Sequence, residues 1–236
     1  MSIVRIAVTR PQPDADRTAE TLRARGHQVL LTPLMQLEML RPDVGSGLFA
    51  AILITSANGA RAAAAHPRVA ELQKLPLFAV GARSAAAARA AGFADAVSAD
   101  GDAEDLARLV AERFRGTKAP LLYLAGADRS GDLAGDLGRR GFAVHTAIVY
   151  RSVALPYPDA LLQALRRGEV DAVLHFSRRS AELYVQGAVK AGVGHEALTP
   201  AHYCLSAQVA EPLVAARASV MTAPAPNETA LLASIG

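Results

Sequence analysis

The two halves of this chain repeat the same series of segments. In residues 1–115, a strand, a helix and a second strand after Gly26 precede a strand that ends at Ser56 and a strand that leads into an Ala-rich helix. The series recurs in the same order in residues 119–236, with Gly141 and Ser177 at the corresponding places. This period is too long for a solenoid repeat. It predicts a duplicated α/β fold, whose ligand we expect in the cleft between the halves.

Short apolar segments alternate with helical segments of about 10–15 residues along both halves of the chain. This alternation predicts parallel sheets with helices on their faces. The polar stretches at residues 35–44 and 150–159 are the best candidates for linkers. Because each of them follows the second strand of its half, the two stretches can run side by side between two domains.

Composition and charge exclude several classes of protein. The 236 residues are 51% hydrophobic, which is enough apolar material for one large domain or two small ones. The formal charge is +3, but the arginines are dispersed and not interleaved with aromatic residues, so we expect no nucleic-acid partner. Cys204 is the single cysteine, which excludes an internal disulfide and a Cys/His metal cluster. No signal peptide and no apolar segment of about 18 residues is present, so we expect a cytoplasmic protein with no membrane partner.

Small, hydroxylic and arginine residues follow the predicted strands. Ligands of open α/β sheets lie at the carboxyl ends of the strands, where helix N-termini present free N–H groups to anions. A Ser at any one of these places can equally be an N-cap, whereas the set together with its arginines predicts an anionic ligand. The candidate binding residues are Arg10, Ser56, Asn58, Gly81, Arg83, Ser84, Gly126, Arg129, Ser177, Arg178, Ser180, Ser206 and Gln208.

Tyr150 ends a predicted strand at the second candidate linker. It is either a packing aromatic residue or a phenol that donates a proton or a hydrogen bond to a leaving hydroxyl. Recognised nucleotide-binding motifs are missing, since the loop from Gly126 through Ser130 has phosphate-loop glycines but continues with Asp132 and Leu133 instead of Lys and Ser or Thr. Paired carboxylates are also missing from the strand ends, so we expect no metal and no cofactor.

Short motifs recur at characteristic places along the chain: Val8-Thr-Arg-Pro11, Ile54-Thr-Ser-Ala-Asn58, Ala79-Val-Gly81 with Arg83-Ser84-Ala85, Val149-Tyr150-Arg-Ser152, and Phe176-Ser177. In these motifs, and in their order and spacing, the whole chain resembles the uroporphyrinogen-III synthase family. One position departs from the family pattern. Where Gly-x-Thr-Thr-Ala is frequent, this chain has residues 206–210, so Val209 stands where a Thr is expected, and Ser206, Gln208 or backbone amides would have to replace it.

The resemblance implies an α/β fold of two similar domains, each a mostly parallel sheet flanked by helices. A two-stranded β-ladder, formed by residues 35–41 and 148–153, would join the domains. One domain would be discontinuous and consist of residues 1–34 and 154–236, whereas residues 42–147 would form the inserted domain. The first strands of the first copy would then complete the domain of the second copy.

The resemblance also implies the cyclisation of hydroxymethylbilane, a linear tetrapyrrole polycarboxylate, to uroporphyrinogen III. The terminal hydroxyl would leave as water, and a spiro intermediate would fragment and close again with the D ring inverted. Tyr150 would assist the departure of the hydroxyl, while Arg10, Ser56 and Ser177 would line the cleft. No metal or cofactor is implied. We expect a monomer, with hydroxymethylbilane synthase as the candidate for a transient handover of substrate.

A two-lobed binding or sensor protein for a small anion, without catalysis, would share the duplication and the cleft. The absence of a signal peptide and the place of Tyr150 at the linker favour the enzyme over this alternative. A nucleotide-sugar transferase is disfavoured, because the chain lacks an acidic metal site.

Overall fold

Strands and helices alternate through the residues that the structure describes. The computed structural model describes residues 3–45, 47–129 and 131–235, so Met1, Ser2, Ser46, Ser130 and Gly236 lie outside the described residues. The strands are β1 (Arg5–Val8), β2 (Gln28–Leu31), β3 (Met35–Met39), β4 (Ala51–Ile54), β5 (Leu77–Ala79), β6 (Ala96–Ser98), β7 (Leu121–Gly126), β8 (Val144–Ala154), β9 (Ala172–His175), β10 (Ala201–Cys204) and β11 (Val220–Thr222). The helices are α1 (Asp14–Ala24), α2 (Ala57–Ala64), α3 (Val69–Leu72), α4 (Ala82–Ala90), α5 (Ala103–Arg113), α6 (Leu133–Arg139), α7 (Asp159–Arg166), α8 (Arg178–Lys190), α9 (Gly194–Leu198), α10 (Ala207–Ala215) and α11 (Glu228–Ala233).

The chain divides into two compact units. Unit 1 consists of Met1–Leu37 and Val153–Gly236, and unit 2 consists of Glu38–Ser152. The boundaries fall inside β3 and inside β8, which are neighbouring strands of one sheet. The predicted linker strands at residues 35–41 and 148–153 stay a prediction.

Each unit is built on a sheet whose strands come from both copies of the repeat. The order in unit 1 is β11-β10-β9-β1-β2, and the order in the other sheet is β3-β8-β7-β4-β5-β6. From β11 to β2, and from β8 to β6, all neighbours run parallel. Equivalent strands occupy equivalent places, because β2-β1-β9-β10-β11 corresponds to β8-β7-β4-β5-β6. In each unit the strand order reverses once, between β1 and β9 or between β7 and β4.

The central strands of the two sheets are short and apolar because both of their faces are covered. Strands β4 and β7 are buried along their whole length. Ile52 packs into one apolar cluster of unit 2, and its neighbour Leu53 packs into a second cluster. Ile6 and Ala7 alternate in the same way between two clusters of unit 1. Because successive side chains of a strand point to opposite faces, this pattern produces the two-sided burial that parallel sheets require.

The predicted fold class is confirmed: mixed α/β with mostly parallel sheets flanked by helices. The sequence reasoning missed strand β11 and helices α3 and α9, which have three, four and five residues. Elements this short span little more than one hydrophobic period, which is too little for a repeating pattern to be recognised. Among the described residues, no helix combines the length and the apolar character needed to cross a bilayer.

Two histidines form a polar pair inside unit 1. His175 and His202 are both 0% exposed, and His175 Nε2 lies 3.0 Å from His202 Nδ1. His202 Nε2 lies 3.1 Å from the carbonyl oxygen of Ala197. A carbonyl only accepts, so His202 Nε2 donates to it and His202 Nδ1 accepts from His175. Burial lowers the pKa of His202 to about 4 and the pKa of His175 well below its usual range, so both rings are neutral.

We expect the free energy of unfolding to fall as the pH decreases from 7 to 5. Both histidines have a lower pKa in the folded state than the value of about 6.5 in the unfolded chain, so below that pH the unfolded state binds more protons. For His202 alone the loss is about 2 kcal/mol at pH 5. The measurement is urea unfolding at pH 7.5, 6 and 5.

The matched variant is His202→Gln, because a glutamine amide can both donate and accept but does not titrate. As the pH is lowered to 5, the free energy of unfolding should decrease in both proteins. The decrease should be about 2 kcal/mol smaller in the variant than in the unmodified protein. Parallel pH profiles for the two proteins would contradict the assignment of this part of the acid sensitivity to His202.

Candidate active site

A cavity lies where the strand order of unit 2 reverses. The carboxyl ends of β4 and β7 meet at this point, and open α/β sheets bind their ligands at such a reversal. The cavity has a volume of about 590 Å³, and Ser56, Arg129 and Tyr150 are among the residues that line it. The structure therefore brings three of the predicted site residues together within one unit.

Tyr150 reaches the cavity through a close approach to Gly126. The register of β7 and β8 shifts between Ala125 and Gly126, which places Tyr150 opposite Gly126. A Cβ at Gly126 would lie 2.6 to 2.8 Å from atoms of the Tyr150 side chain. The glycine that the strand-end pattern selected as a binding residue thus makes room for the phenol. Register shifts of this kind often redirect a side chain beside an active site.

The Tyr150 hydroxyl forms a 2.7 Å hydrogen bond with the Ser56 hydroxyl. Burial raises the pKa of Tyr150 above its usual value, and the hydrogen bond with Ser56 opposes this shift. The phenol is therefore protonated at neutral pH. A hydroxyl that donates to a phenol oxygen stabilises the phenolate, so Ser56 is placed to assist the loss of the Tyr150 proton.

A second phenol lines the same cavity. The Tyr123 hydroxyl lies 3.2 Å from the Thr55 hydroxyl, and Tyr123 is only 3% exposed. Tyr123 belongs to one apolar cluster of unit 2, whereas Tyr150 packs against the other. The sequence reasoning missed this pair. The alternation of side chains along β4 and β7 was the signal that could have found it, because it sends Thr55 and Ser56 to opposite sides of the sheet end.

The helices around this cavity differ in how their N-termini are capped. Helix α2 begins after Ser56 and helix α4 begins after Gly81, and neither has a side-chain cap. Asp102 accepts hydrogen bonds from the first turn of α5, and Asp132 accepts one from α6. The free N–H groups of α2 and α4 are therefore suited to an anion, whereas α5 and α6 already hold a carboxylate.

The lining of the cavity carries more acidic than basic side chains. Arg129, which is exposed, is its one arginine in the described part of the chain, and Asp136 is paired with Arg139, which lies outside the lining. Three of the acidic groups have partners within the fold, because Asp102 and Asp132 cap helices and Asp136 pairs with Arg139. The acidic lining residues are Asp102, Glu104, Asp128, Asp132 and Asp136.

The remaining predicted residues of unit 2 do not line this cavity. Asn58 accepts a 2.6 Å hydrogen bond from Arg61 at the surface of α2. Arg83 is exposed on α4, and Ser84 is buried in its first turn. Gly81 has open space at its Cβ position and follows Val80, which does line the cavity.

In unit 1, Arg10 is held by internal partners. Its side chain lies 3.0 Å from Asp14 and 3.2 Å from Glu228, and its guanidinium carbon lies 4.0 Å from the centre of the Phe176 ring. The residue is only 9% exposed. These contacts neutralise the Arg10 charge within the fold and tie α1 and α11 to the ends of β1 and β9. The Thr-Arg-Pro motif therefore has a structural role in this unit.

The serines at the strand ends of unit 1 are helix caps. The Ser177 hydroxyl accepts a 3.1 Å hydrogen bond from the backbone of Ser180, and the Ser206 hydroxyl accepts a 3.4 Å hydrogen bond from the backbone of Val209. Val209 thus keeps a polar backbone contact even though its side chain has no hydroxyl. Arg178 pairs with two carboxylates, and Gln208 is exposed. For these serines, the N-cap interpretation accounts for the observed contacts.

Comparisons with known proteins agree on one family. A family model described as "Uroporphyrinogen-III synthase HemD" matches residues 16–233. The fold is similar to that of uroporphyrinogen-III synthetase from Helicobacter pylori, with 16% identity, a TM-score of 0.65, and 98% of this chain and 97% of that chain covered. It is also similar to a mutant uroporphyrinogen III synthase from the extremely thermophilic bacterium Thermus thermophilus, with 22% identity, a TM-score of 0.55, and 98% and 96% covered. No curated protein matches the sequence.

We expect Gly126→Ala to destabilise the protein by about 1–3 kcal/mol, because the added methyl group must displace the Tyr150 ring. The measurement is the free energy of unfolding in urea. Gly138→Ala is the matched control, since a Cβ at Gly138 meets no atom within 4 Å and the residue lies inside helix α6. The control should leave stability unchanged or raise it slightly. Equal effects of the two substitutions would contradict the close approach.

Proposed function

The chain belongs to the uroporphyrinogen-III synthase family, whose members are cyclising lyases of tetrapyrrole biosynthesis, and we propose that it uses the Tyr150 cavity to convert hydroxymethylbilane to uroporphyrinogen III. The observation that carries this assignment of the site is the 2.7 Å contact between Tyr150 and Ser56. It places a protonated phenol, with a hydroxyl partner, in a cavity at the strand reversal of unit 2.

Tyr150 donates its proton to the terminal hydroxyl of the substrate. The carbon–oxygen bond breaks, water leaves, and its bonding electrons go with the oxygen, so an azafulvene cation remains. A hydrogen bond from Ser56 then stabilises the Tyr150 phenolate. General acid catalysis of this kind requires a donor within hydrogen-bond reach of the leaving group, which a half-buried phenol at the cavity wall can satisfy.

The same phenolate completes the proton balance. The substituted carbon of the D ring, at the other end of the tetrapyrrole, attacks the azafulvene to give the spiro intermediate. This intermediate fragments and then closes again through the free carbon of the D ring. That carbon then loses its proton, and Tyr150 takes the proton back. One proton leaves Tyr150 and one returns, so this series of reaction steps needs no external acid, oxidant or reductant.

Different groups at the cavity suit the cation and the carboxylates of this substrate. The azafulvene cation forms beside a lining with five acidic side chains, which favours positive charge. The substrate carboxylates bind at the uncapped N-termini of α2 and α4 and at Arg129. We propose Ser56, Gly126 and Arg129 as the binding-site residues beside Tyr150, with Gly126 acting through the space that it leaves.

Several finer assignments rest on the family alone. We propose a cytoplasmic monomer that takes hydroxymethylbilane from hydroxymethylbilane synthase. We also propose the domain division at residues 1–34 plus 154–236 and residues 42–147, with the ladder strands between them. Gel filtration with light scattering tests the monomer, and co-elution of the two enzymes tests the handover.

Tyr150→Phe should lower kcat for uroporphyrinogen III formation by about 100-fold or more, because the reaction loses its proton donor. The variant keeps the ring that packs against Gly126, so its free energy of unfolding should change by only about 1 kcal/mol, the contribution of one hydrogen bond. The assay supplies freshly prepared hydroxymethylbilane and separates isomers I and III of the product.

Tyr203→Phe is the matched control, because Tyr203 is a buried tyrosine of β10 in unit 1. It should retain normal turnover. If the unmodified protein yields isomer I alone at the uncatalysed rate, the function is wrong. If it yields isomer III and Tyr150→Phe does so equally fast, the function stands and Tyr150 has no part in it.

A further inference from the structure

The hydroxyl pair of Thr55 and Tyr123 has one hydrogen that no acceptor uses. Two hydroxyls carry two donor hydrogens, and the 3.2 Å bond between them uses one. Among the described residues, neither hydroxyl has another hydrogen-bond partner. Both residues line the cavity of unit 2. One donor of the pair is therefore left for a group that enters this cavity.

Burial decides which of the two hydroxyls offers that hydrogen. Tyr123 is 3% exposed, whereas Thr55 is half-buried. Because so little of Tyr123 is exposed, its hydroxyl hydrogen has few acceptors within reach other than the Thr55 hydroxyl, and a buried donor without an acceptor costs free energy. Tyr123 therefore donates to Thr55, and the Thr55 hydroxyl is held with its own hydrogen directed away from Tyr123.

The backbone beside Thr55 supplies further hydrogen-bond donors for a negatively charged acceptor. Helix α2, which has eight residues, begins two positions later, and no side chain caps its N-terminus. The free N–H groups of its first turn and the Thr55 hydroxyl thus converge on the same end of β4. The Ser56 and Tyr150 pair lies on the other side of the sheet end, where the proton transfer takes place.

We propose that Thr55 binds a carboxylate of the substrate, and that Tyr123 is a positioning residue that fixes the Thr55 hydroxyl as a donor. This inference rests on the proposed function, because it takes its ligand from the polycarboxylate substrate. It separates two tasks at one strand end. Thr55 and Tyr123 hold the substrate, whereas Ser56 and Tyr150 exchange the proton.

The test compares KM and kcat for hydroxymethylbilane in substituted proteins. Thr55→Val keeps the shape of the side chain and removes the donor, so KM should rise about tenfold while kcat stays within about twofold. Thr55→Ser restores the donor and should restore KM to within about threefold. Tyr123→Phe releases the Thr55 hydroxyl without removing it, so KM should rise by about threefold with kcat unchanged.

Thr117→Val is the matched control, because Thr117 is a half-buried threonine of unit 2 outside the cavity lining. It should leave KM unchanged. An unchanged KM in Thr55→Val, or a KM that Thr55→Ser does not restore, overturns the proposal. If Thr55→Val does not fold, the KM of Tyr123→Phe is the remaining test. An unchanged KM in Tyr123→Phe then also overturns the proposal.

Failure of this inference is distinguishable from failure of the proposed function. Normal KM in Thr55→Val together with slow turnover in Tyr150→Phe rejects the carboxylate contact and keeps the proton donor. Formation of isomer I alone by the unmodified protein rejects the proposed function. The contact between Thr55 and a substrate carboxylate is then rejected as well, because it rests on that function.

Discussion

The backbone pairing at the two strand reversals holds this structure together. Strand β1 pairs with β9, and β4 pairs with β7, so each sheet is closed by hydrogen bonds between segments of different copies of the repeat. These pairs lie in the middle of their sheets, where both faces are buried. The Tyr150 cavity and the Arg10 ion pairs both lie at the carboxyl ends of these strands. The positions of the Tyr150 cavity and of the Arg10 ion pairs therefore depend on the same two pairings.

Much of the fold could be predicted from the sequence, because it depends on signals that are local. The short apolar runs that became β4 and β7, and the helical segments between them, predict parallel sheets with covered faces. The repeat identifies which strands are equivalent. Strand β11 was missed because its three residues, one half-buried and two exposed, form no apolar run. The domain boundaries stay a prediction.

The site was predicted only in part, because hydrogen-bond partners are not local. Ser56, Arg129 and Tyr150 were selected by their places at predicted strand ends, and they line one cavity. The prediction that a strand ends at Tyr150 was wrong, because β8 continues to Ala154. Arg10 was selected in the same way, but its partner Glu228 comes from the far end of the chain and cannot be identified from spacing. Tyr123 was not selected at all, because it lies inside a strand. Membership of the family decides for the enzyme over the anion sensor that the residues alone left open.

The exchange of strands between the two copies also affects when each strand can pair during synthesis. Unit 2 is continuous in sequence, so all of its strands have been made once Ser152 has emerged from the ribosome. Strands β1 and β2 emerge first, yet β9, the neighbour that completes the pairing of β1, starts only at Ala172. Strand β1 must therefore remain unpaired on one edge while the whole of unit 2 is translated. Strand β1 is thus made before unit 2 and can complete its pairing only after unit 2 has been made.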